Sequence, residues 1–159
     1  MLPLLVALVI PLLLVIPADR VASDYFAYYR TLDGPLLGAA AAVEAADPEG
    51  IVAVRRDWRN WPIGWWFEGL TTAPIAVGSD PRWLGFPDEV ARAALVDRFF
   101  TERLEADDLR RLASETGVEL LVLRKWEWIG WQRWLEGPDP AVETIYDDNE
   151  FLVLRINQP

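Results

Sequence analysis

The sequence predicts an α/β fold, with a small mixed sheet, flanking helices and a C-terminal β-hairpin, preceded by one transmembrane helix. Three observations predict it. Short apolar runs typical of buried strands alternate with amphipathic helical segments through the middle of the chain. Two β-prone runs near the end flank a polar turn. The first 18 residues carry no charge, whereas the rest of the chain has the composition of an ordinary charged domain.

The uncharged segment at residues 1–18 predicts a transmembrane helix. Eighteen helical residues reach about 27 Å, close to the roughly 30 Å of a hydrocarbon core. Three prolines in the segment disfavour a soluble helix, and membrane helices tolerate proline better. A cleaved signal peptide and a buried core helix are the alternatives. A signal peptide would need a basic start and a small-residue cleavage site, and neither is evident.

Residues 19–50 are predicted to form a membrane-proximal connector with a helix, and residues 51–159 an extracytoplasmic α/β domain. A tyrosine-rich patch at residues 25–29 suits the aromatic belt of a membrane interface, or equally a packed helix. The alanine-rich run that follows Pro35 predicts a short helix that stops at the turn Asp47-Pro48-Glu49-Gly50.

The predicted domain has three buried strands that we expect to be parallel, then two antiparallel strands. Their bounds are Ile51–Val54, Pro74–Val77, Val118–Leu123, Ala141–Tyr146 and Phe151–Ile156. Apolar residues at three- and four-residue spacing predict a helix over Asp88–Glu105. Asp107 is expected to cap a second helix that Gly117 ends. Trp131 and Trp134, three residues apart, indicate a packing face.

Composition excludes several classes of function. A net charge of −10 argues against nucleic acid as a partner. The absence of histidine removes the usual general base and the commonest metal ligand, and cysteine is absent too. No motif for a metal, nucleotide or other cofactor is found, so neither a cofactor nor a catalytic residue is assigned. A glycosidase-like carboxylate pair remains conceivable among Asp57, Glu68 and Asp80, but solvated or arginine-paired carboxylates are the default.

The segment Arg55–Glu89 holds five of the nine tryptophans within 35 residues, interleaved with charges, glycines and prolines. So many helix breakers predict an irregular segment that lies over a surface. Ligands in open α/β sheets collect beyond the carboxyl ends of the parallel strands, and basic residues with tryptophan follow all three predicted strands. The candidate ligand-binding residues are Arg55, Arg56, Trp58, Arg59, Trp65, Trp66, Glu68, Asp80, Arg82, Trp83, Lys125 and Trp126.

A cationic and aromatic rim of this kind has two physical uses. Tryptophan and arginine can lie among lipid headgroups at a bilayer surface. Alternatively, tryptophan can stack on sugar rings while arginine binds phosphate through two hydrogen bonds, and a lipid-linked sugar would use both. The competing interpretation is structural: the tryptophans pack against the sheet, and the arginines cover them.

The run WPIGWWFEGLTTAPIAVGSDPRWLGFPDE, with GVELLVLRK and IYDDNEFLVLRI, resembles the C-terminal extracytoplasmic part of polytopic GT-C-type glycosyltransferases, which use polyprenyl-phosphate sugars. A fainter similarity exists to oligosaccharyltransferase catalytic subunits, but Trp65–Gly69 departs from their WWD-type motif at the acid and at the residue after it. The resemblance implies a cell-membrane protein with its main domain extracytoplasmic.

In that family the catalytic acid lies in an early loop between transmembrane helices, and this chain has no such loop. The resemblance therefore implies a fragment, a truncated gene model or a stand-alone relative that orients a lipid-linked sugar or glycan without itself carrying the catalytic acid. The expected partners are membrane lipid, a polyprenyl-phosphate-linked sugar and another membrane subunit. The alternative functions are a single-pass interaction module that docks such a subunit and a free carboxylate hydrolase.

Overall fold

The computed structural model describes residues 32–56, 63–77, 84–126 and 130–157. The predicted transmembrane helix at residues 1–18 and the tyrosine-rich patch lie outside these ranges. Within them, every helix is too short or too polar to cross a bilayer. One compact unit starts at Gly34 and runs to the C-terminus, so it includes the alanine-rich helix that was predicted to belong to the connector.

The structure is an α/β fold with a mixed five-stranded sheet, which confirms the predicted fold class for the domain. The strands are β1 (Ile51–Val54), β2 (Ile75–Val77), β3 (Val118–Arg124), β4 (Val142–Asp147) and β5 (Phe151–Ile156). Their order across the sheet is β2-β1-β3-β5-β4. Strand β1 is parallel to both β2 and β3, and β5 is antiparallel to both β3 and β4. The predicted parallel trio and the predicted hairpin are therefore both present.

In the described ranges, four α-helices flank the sheet. They are α1 (Gly34–Ala46), α2 (Gly64–Leu70), α3 (Pro87–Thr101) and α4 (Ala106–Thr116), and a 3-10 helix follows β3 at Trp131–Trp134. Strand β1 lies between the other two parallel strands, with β2 on one side and β3 on the other. The chain therefore crosses from β1 to β2 in one direction and from β2 to β3 in the opposite direction. Right-handed crossovers in opposite directions place their helices on opposite faces of a sheet. Accordingly, α2 packs on one face, and α3 and α4 pack on the other.

Two hydrophobic cores form, one on each face of the sheet, and β3 contributes to both. Leu120 and Val122 belong to the core under α1 and α2, whereas Leu121 and Leu123 belong to the core under α3 and α4. Successive side chains of a strand point to opposite faces, so a strand covered on both faces needs apolar residues throughout. That requirement explains the apolar run Leu120–Leu123, which follows the partly buried Glu119 in β3.

Three local predictions are wrong. Helix α2 lies inside the segment that was expected to be irregular, because the prolines of the segment all lie outside Gly64–Leu70 while Ile63 and Phe67 are buried in the core. Helix α3 ends at Thr101, before the predicted Glu105. Leu104 lies in the turn after the helix and is still buried in the core. The cap position of α4 is Glu105, two residues before the predicted Asp107, and no side-chain hydrogen bond caps it. The predicted stop at Gly117 is confirmed, in the left-handed region at φ 73°.

Gly50 allows two backbones to approach closely at the start of β1, and its substitution gives a first testable prediction. A Cβ atom at Gly50 would lie 2.9 Å from the carbonyl oxygen of Gly117 and 2.9 Å from Glu119 Cβ. Because a backbone carbonyl cannot swing away, Gly50→Ala is expected to lower the free energy of unfolding by about 1–3 kcal/mol. Urea unfolding followed by circular dichroism measures the change.

Gly69→Ala is the matched control for that measurement. It introduces the same methyl group in α2, at a position with no atom within 4 Å, and helix propensity favours alanine there. Equal unfolding midpoints for Gly50→Ala and the unsubstituted protein would contradict the close approach.

Candidate functional site

The candidate site lies beyond the carboxyl ends of β1 and β3. These neighbouring strands are parallel, and the chain leaves them toward opposite faces: β1 leads to α2, and β3 leads to the 3-10 helix packed in the other core. Such a switch point is where open α/β sheets form a crevice and bind ligands. The pairing continues into the exit of β1, where the Arg55 amide donates to the Val122 carbonyl oxygen at 2.9 Å. We call this region the carboxyl edge.

The described cations of the carboxyl edge interact with carboxylates of the same domain. Arg56 forms an ion pair with Asp97 of α3 at 2.8 Å, and Arg124 forms one with Glu150 at 3.0 Å. Lys125 forms an ion pair with Asp147 and also donates to the Asp148 carbonyl oxygen at 2.8 Å. The strand exits therefore concentrate basic groups as the sequence predicts, but the fold brings acidic groups to them from α3 and from the β4–β5 hairpin.

The Arg56–Asp97 pair connects the exit of β1 to α3 and is only partly exposed to solvent. Partial burial raises the pKa of Asp97 above its ordinary value, although the charges of Arg56 and Arg55 act in the opposite direction. The two arginines thus share one half-buried carboxylate.

An aromatic stack extends along the same edge from β3 to α2. The Arg124 guanidinium lies 5.1 Å from the centre of the Phe151 ring and 6.0 Å from that of Trp126. Phe151 pairs with Arg124 across the strands, and its ring meets that of Phe67 edge-on, with centroids 6.4 Å apart. This series of contacts places α2 and Trp126 at the same corner of the sheet.

Three of the predicted tryptophans stay exposed. Trp65 and Trp66, in the first turn of α2, are 47% and 41% exposed, and Trp126 is 57% exposed. Phe67 takes the buried position of α2, so the two residues before it point away from the core. The competing prediction of buried tryptophans holds for Trp134, which is 1% exposed and donates from Nε1 to the Leu104 carbonyl oxygen at 2.9 Å.

Among the predicted carboxylates, the structure describes Glu68, which lies on α2 and is exposed. Partial desolvation raises the pKa of Glu68. The remaining predicted site residues lie outside the described residues: Trp58, Arg59, Asp80, Arg82 and Trp83, together with Asp57 of the proposed carboxylate set. Across the described ranges, no group of three or more acidic residues is arranged to hold a metal ion.

The sequence analysis missed the acidic side of the carboxyl edge. Asp97 sits inside a helical pattern that shows only amphipathicity, and Asp147, Asp148 and Glu150 were assigned to the hairpin turn alone. One signal could have found the hairpin residues: in a β3–β5–β4 arrangement, the β4–β5 turn must meet the carboxyl end of β3. No local signal in the sequence places Asp97 beside Arg56.

Asp148 organises the hairpin turn at this edge. Its carboxylate accepts hydrogen bonds from the backbone amides of Glu150 and Phe151 at 2.7 and 2.6 Å, and from the Tyr146 hydroxyl at 2.7 Å. Partial burial by itself raises the pKa of Asp148. These donors, together with the charge of Lys125, outweigh burial, so the pKa lies below its ordinary value.

This lowered pKa predicts how stability depends on pH. A carboxylate whose pKa is lower in the folded state stabilises the protein above its unfolded-state pKa of about 3.9, and that contribution is lost as pH falls through the folded-state pKa. Asp148→Asn removes the titration while keeping one acceptor oxygen. The variant is expected to be less stable at pH 6, and the difference should shrink at pH 2.5, as measured by urea unfolding. A difference that is equal at both pH values would contradict the prediction.

No protein family, curated protein or solved structure matches the chain.

Proposed function

We propose that this domain binds a glycan, either free or as a lipid-linked sugar, and that it does so in a glycosyltransferase-like membrane protein whose main domain is extracytoplasmic. The observation that carries the proposal is the exposure of Trp65, Trp66 and Trp126 at a sheet switch point. Large aromatic side chains are mostly buried on average, so three exposed ones at one corner indicate a surface that contacts something.

The arrangement suits sugar binding because an indole ring offers a flat apolar face to the apolar face of a pyranose, while charged groups nearby accept and donate hydrogen bonds to hydroxyls. Trp126 has this setting, with Arg124 stacked beside it and Glu150 paired to Arg124. The membrane attachment and the glycosyltransferase connection rest on the uncharged segment 1–18 and on the family resemblance of Trp61–Glu89.

The proposed role is binding rather than catalysis. Asp97, Glu150 and Asp147 each form an ion pair with a cation of the domain, so these carboxylates already have partners within the fold. The chain also lacks histidine and cysteine, the two commonest nucleophile-activating or nucleophilic groups. A hydrolytic role for Glu68 would predict activity that Glu68→Gln abolishes.

Replacing the exposed tryptophans tests the proposal. Trp126→Ala and the double variant Trp65→Ala, Trp66→Ala are each expected to weaken glycan binding by the full-length chain about threefold to tenfold, because an aromatic contact contributes about 0.5–1.5 kcal/mol. A glycan array screens for ligands, and isothermal titration calorimetry then measures affinity for the hits.

Phe86→Ala is the control. Phe86 is 68% exposed and precedes α3, whose first turns line a groove with the opposite, amino ends of β1 and β2. The Phe86→Ala variant should bind glycan as tightly as the unsubstituted protein does. If the tryptophan variants retain full affinity, or Phe86→Ala loses as much as they do, the carboxyl edge is not the binding surface.

A second function, docking onto another membrane subunit, is favoured by one observation. Leu70 at the end of α2 is also exposed, so this helix presents large apolar side chains at both of its ends. Tryptophan is enriched among the residues that dominate the energy of protein interfaces. Co-purification of a stoichiometric membrane subunit that Trp65→Ala abolishes, with no glycan bound on the array, would favour docking.

A further inference from the structure

The ion pairs of the carboxyl edge carry an inference about which sugars the site accepts. It rests on the proposed glycan-binding function and narrows its ligand class. The four described cations are Arg55, Arg56, Arg124 and Lys125. The carboxylates that contact them or interact with them electrostatically are also four: Asp97, Asp147, Asp148 and Glu150. Among the described residues of the carboxyl edge, positive and negative charges are therefore balanced.

Arg56, Arg124 and Lys125 are each held by an ion pair that an anionic ligand would have to disrupt. Arg124 is fixed from two directions, by the carboxylate of Glu150 at 3.0 Å and by the ring of Phe151 at 5.1 Å. Lys125 is fixed by Asp147 and by a backbone carbonyl. A phosphate binds arginine well when the guanidinium fork offers two donors to it, and Glu150 already occupies the Nε side of the Arg124 guanidinium.

The surrounding potential acts in the same direction. The whole chain has a net charge of −10, so a neutral edge on this domain sits in a negative field that repels an approaching anion. In contrast, the stacking surface of Trp126 needs no charge on its ligand, and the paired Glu150 and Asp147 retain lone pairs that hydroxyl groups can reach.

We infer that the carboxyl edge selects uncharged sugars and discriminates against phosphorylated, uronate or otherwise anionic ones. The tryptophans supply the affinity through apolar pyranose faces. The acidic partners of Arg56, Arg124 and Lys125 supply the discrimination by cancelling the cations that an anionic sugar would need. In a lipid-linked sugar, the edge then contacts the neutral sugar and not the phosphate.

The test compares ligands matched in size and different in charge. The full-length chain is assayed against neutral oligosaccharides of hexose and N-acetylhexosamine, against the corresponding 1-phosphates, and against oligouronates. Vesicles that carry the same neutral sugar on an uncharged glycolipid or on polyprenyl phosphate separate the free from the lipid-linked source. Neutral ligands should bind at least tenfold more tightly than anionic ones, and their affinity should not change between 50 and 500 mM salt.

Variants that neutralise the acidic partners should reverse the selectivity. Glu150→Gln and the double variant Asp97→Asn, Asp147→Asn are expected to raise the ratio of 1-phosphate affinity to neutral-sugar affinity, about fivefold for each carboxylate removed. Asp139→Asn is the matched control, because it breaks an ion pair with Arg110 and Arg110 lies on α4, outside the carboxyl edge. It should leave both ligand classes unaffected.

The outcomes separate this inference from the function on which it rests. Tighter binding of phosphate or uronate sugars by the unsubstituted protein, or no gain in any carboxylate variant, overturns the selectivity while leaving glycan binding intact. Absence of binding to every glycan, neutral and anionic, overturns the proposed function itself. Because Glu150 is partly exposed at a turn, Glu150→Gln should fold even if the variant at the half-buried Asp97 does not.

Discussion

Trp134→Ala is expected to lower the free energy of unfolding by about 3–5 kcal/mol, one of the two largest single effects we predict for this domain. Trp134 is 1% exposed in the core under α3 and α4, so truncation leaves a large cavity. It also removes the hydrogen bond from Nε1 to the Leu104 carbonyl oxygen, which joins the 3-10 helix to the turn between α3 and α4. Urea unfolding at neutral pH, followed by far-ultraviolet circular dichroism, measures the loss.

Two companion variants divide that loss into its parts. Trp134→Phe keeps most of the buried ring and removes the indole donor, so it should cost less than Trp134→Ala; the Leu104 carbonyl oxygen still accepts from Arg133 Nε at 3.0 Å. Trp131→Ala removes a residue only packed against the core rim, so its cost should also be smaller. Equal losses for Trp131→Ala and Trp134→Ala would show that the two tryptophans do not differ in burial.

Phe67→Ala is expected to cost a similar 3–5 kcal/mol and to release α2 from the sheet. Phe67 is fully buried, and its ring contacts Phe151 edge-on, so it is the main anchor of a helix only seven residues long. A helix of that length is not stable without tertiary packing. Hydrogen exchange of the α2 amides, together with urea unfolding, measures both the local and the global effect.

Phe67→Leu is the control for this prediction, since leucine keeps an apolar side chain at the anchor and should cost clearly less than alanine. The variants also connect the fold to the site. If α2 positions Trp65 and Trp66, Phe67→Ala should weaken glycan binding about as much as removing both tryptophans, and Phe67→Leu should not. Slow amide exchange in α2 of Phe67→Ala would contradict the anchoring role.

How much of the fold could be predicted depended on how local each signal is. Strands β1 and β3 were found because burial on both faces requires a largely apolar run, which is visible in a single segment. Strand β5 was found with β4 as two β-prone runs around a polar turn. Gly117 was found as a helix stop because the left-handed conformation that it adopts favours glycine. Helix α2 was missed because its helical state is imposed by the burial of Phe67, and the propensity of its own residues is weak.

The candidate site was also predicted only in part from local signals. The sequence alone determined that basic residues and tryptophans follow the parallel strands, and the parallel pairing of β1, β2 and β3 then brings those exits to one edge. Which tryptophans are exposed depended on packing: Trp65, Trp66 and Trp126 lie outside the cores, and Trp134 lies inside one.

The charge of the edge was decided by tertiary structure alone. Arg56 and Asp97 are 41 positions apart in the chain, and Arg124 and Glu150 are 26 apart, so no local pattern links the members of either pair. An ion pair depends on distances of a few ångströms, which only the packing of α3 and of the hairpin against the strand ends sets. The sequence therefore determined which residues follow the strands at the carboxyl edge, whereas the packing of the fold pairs its described cations with carboxylates.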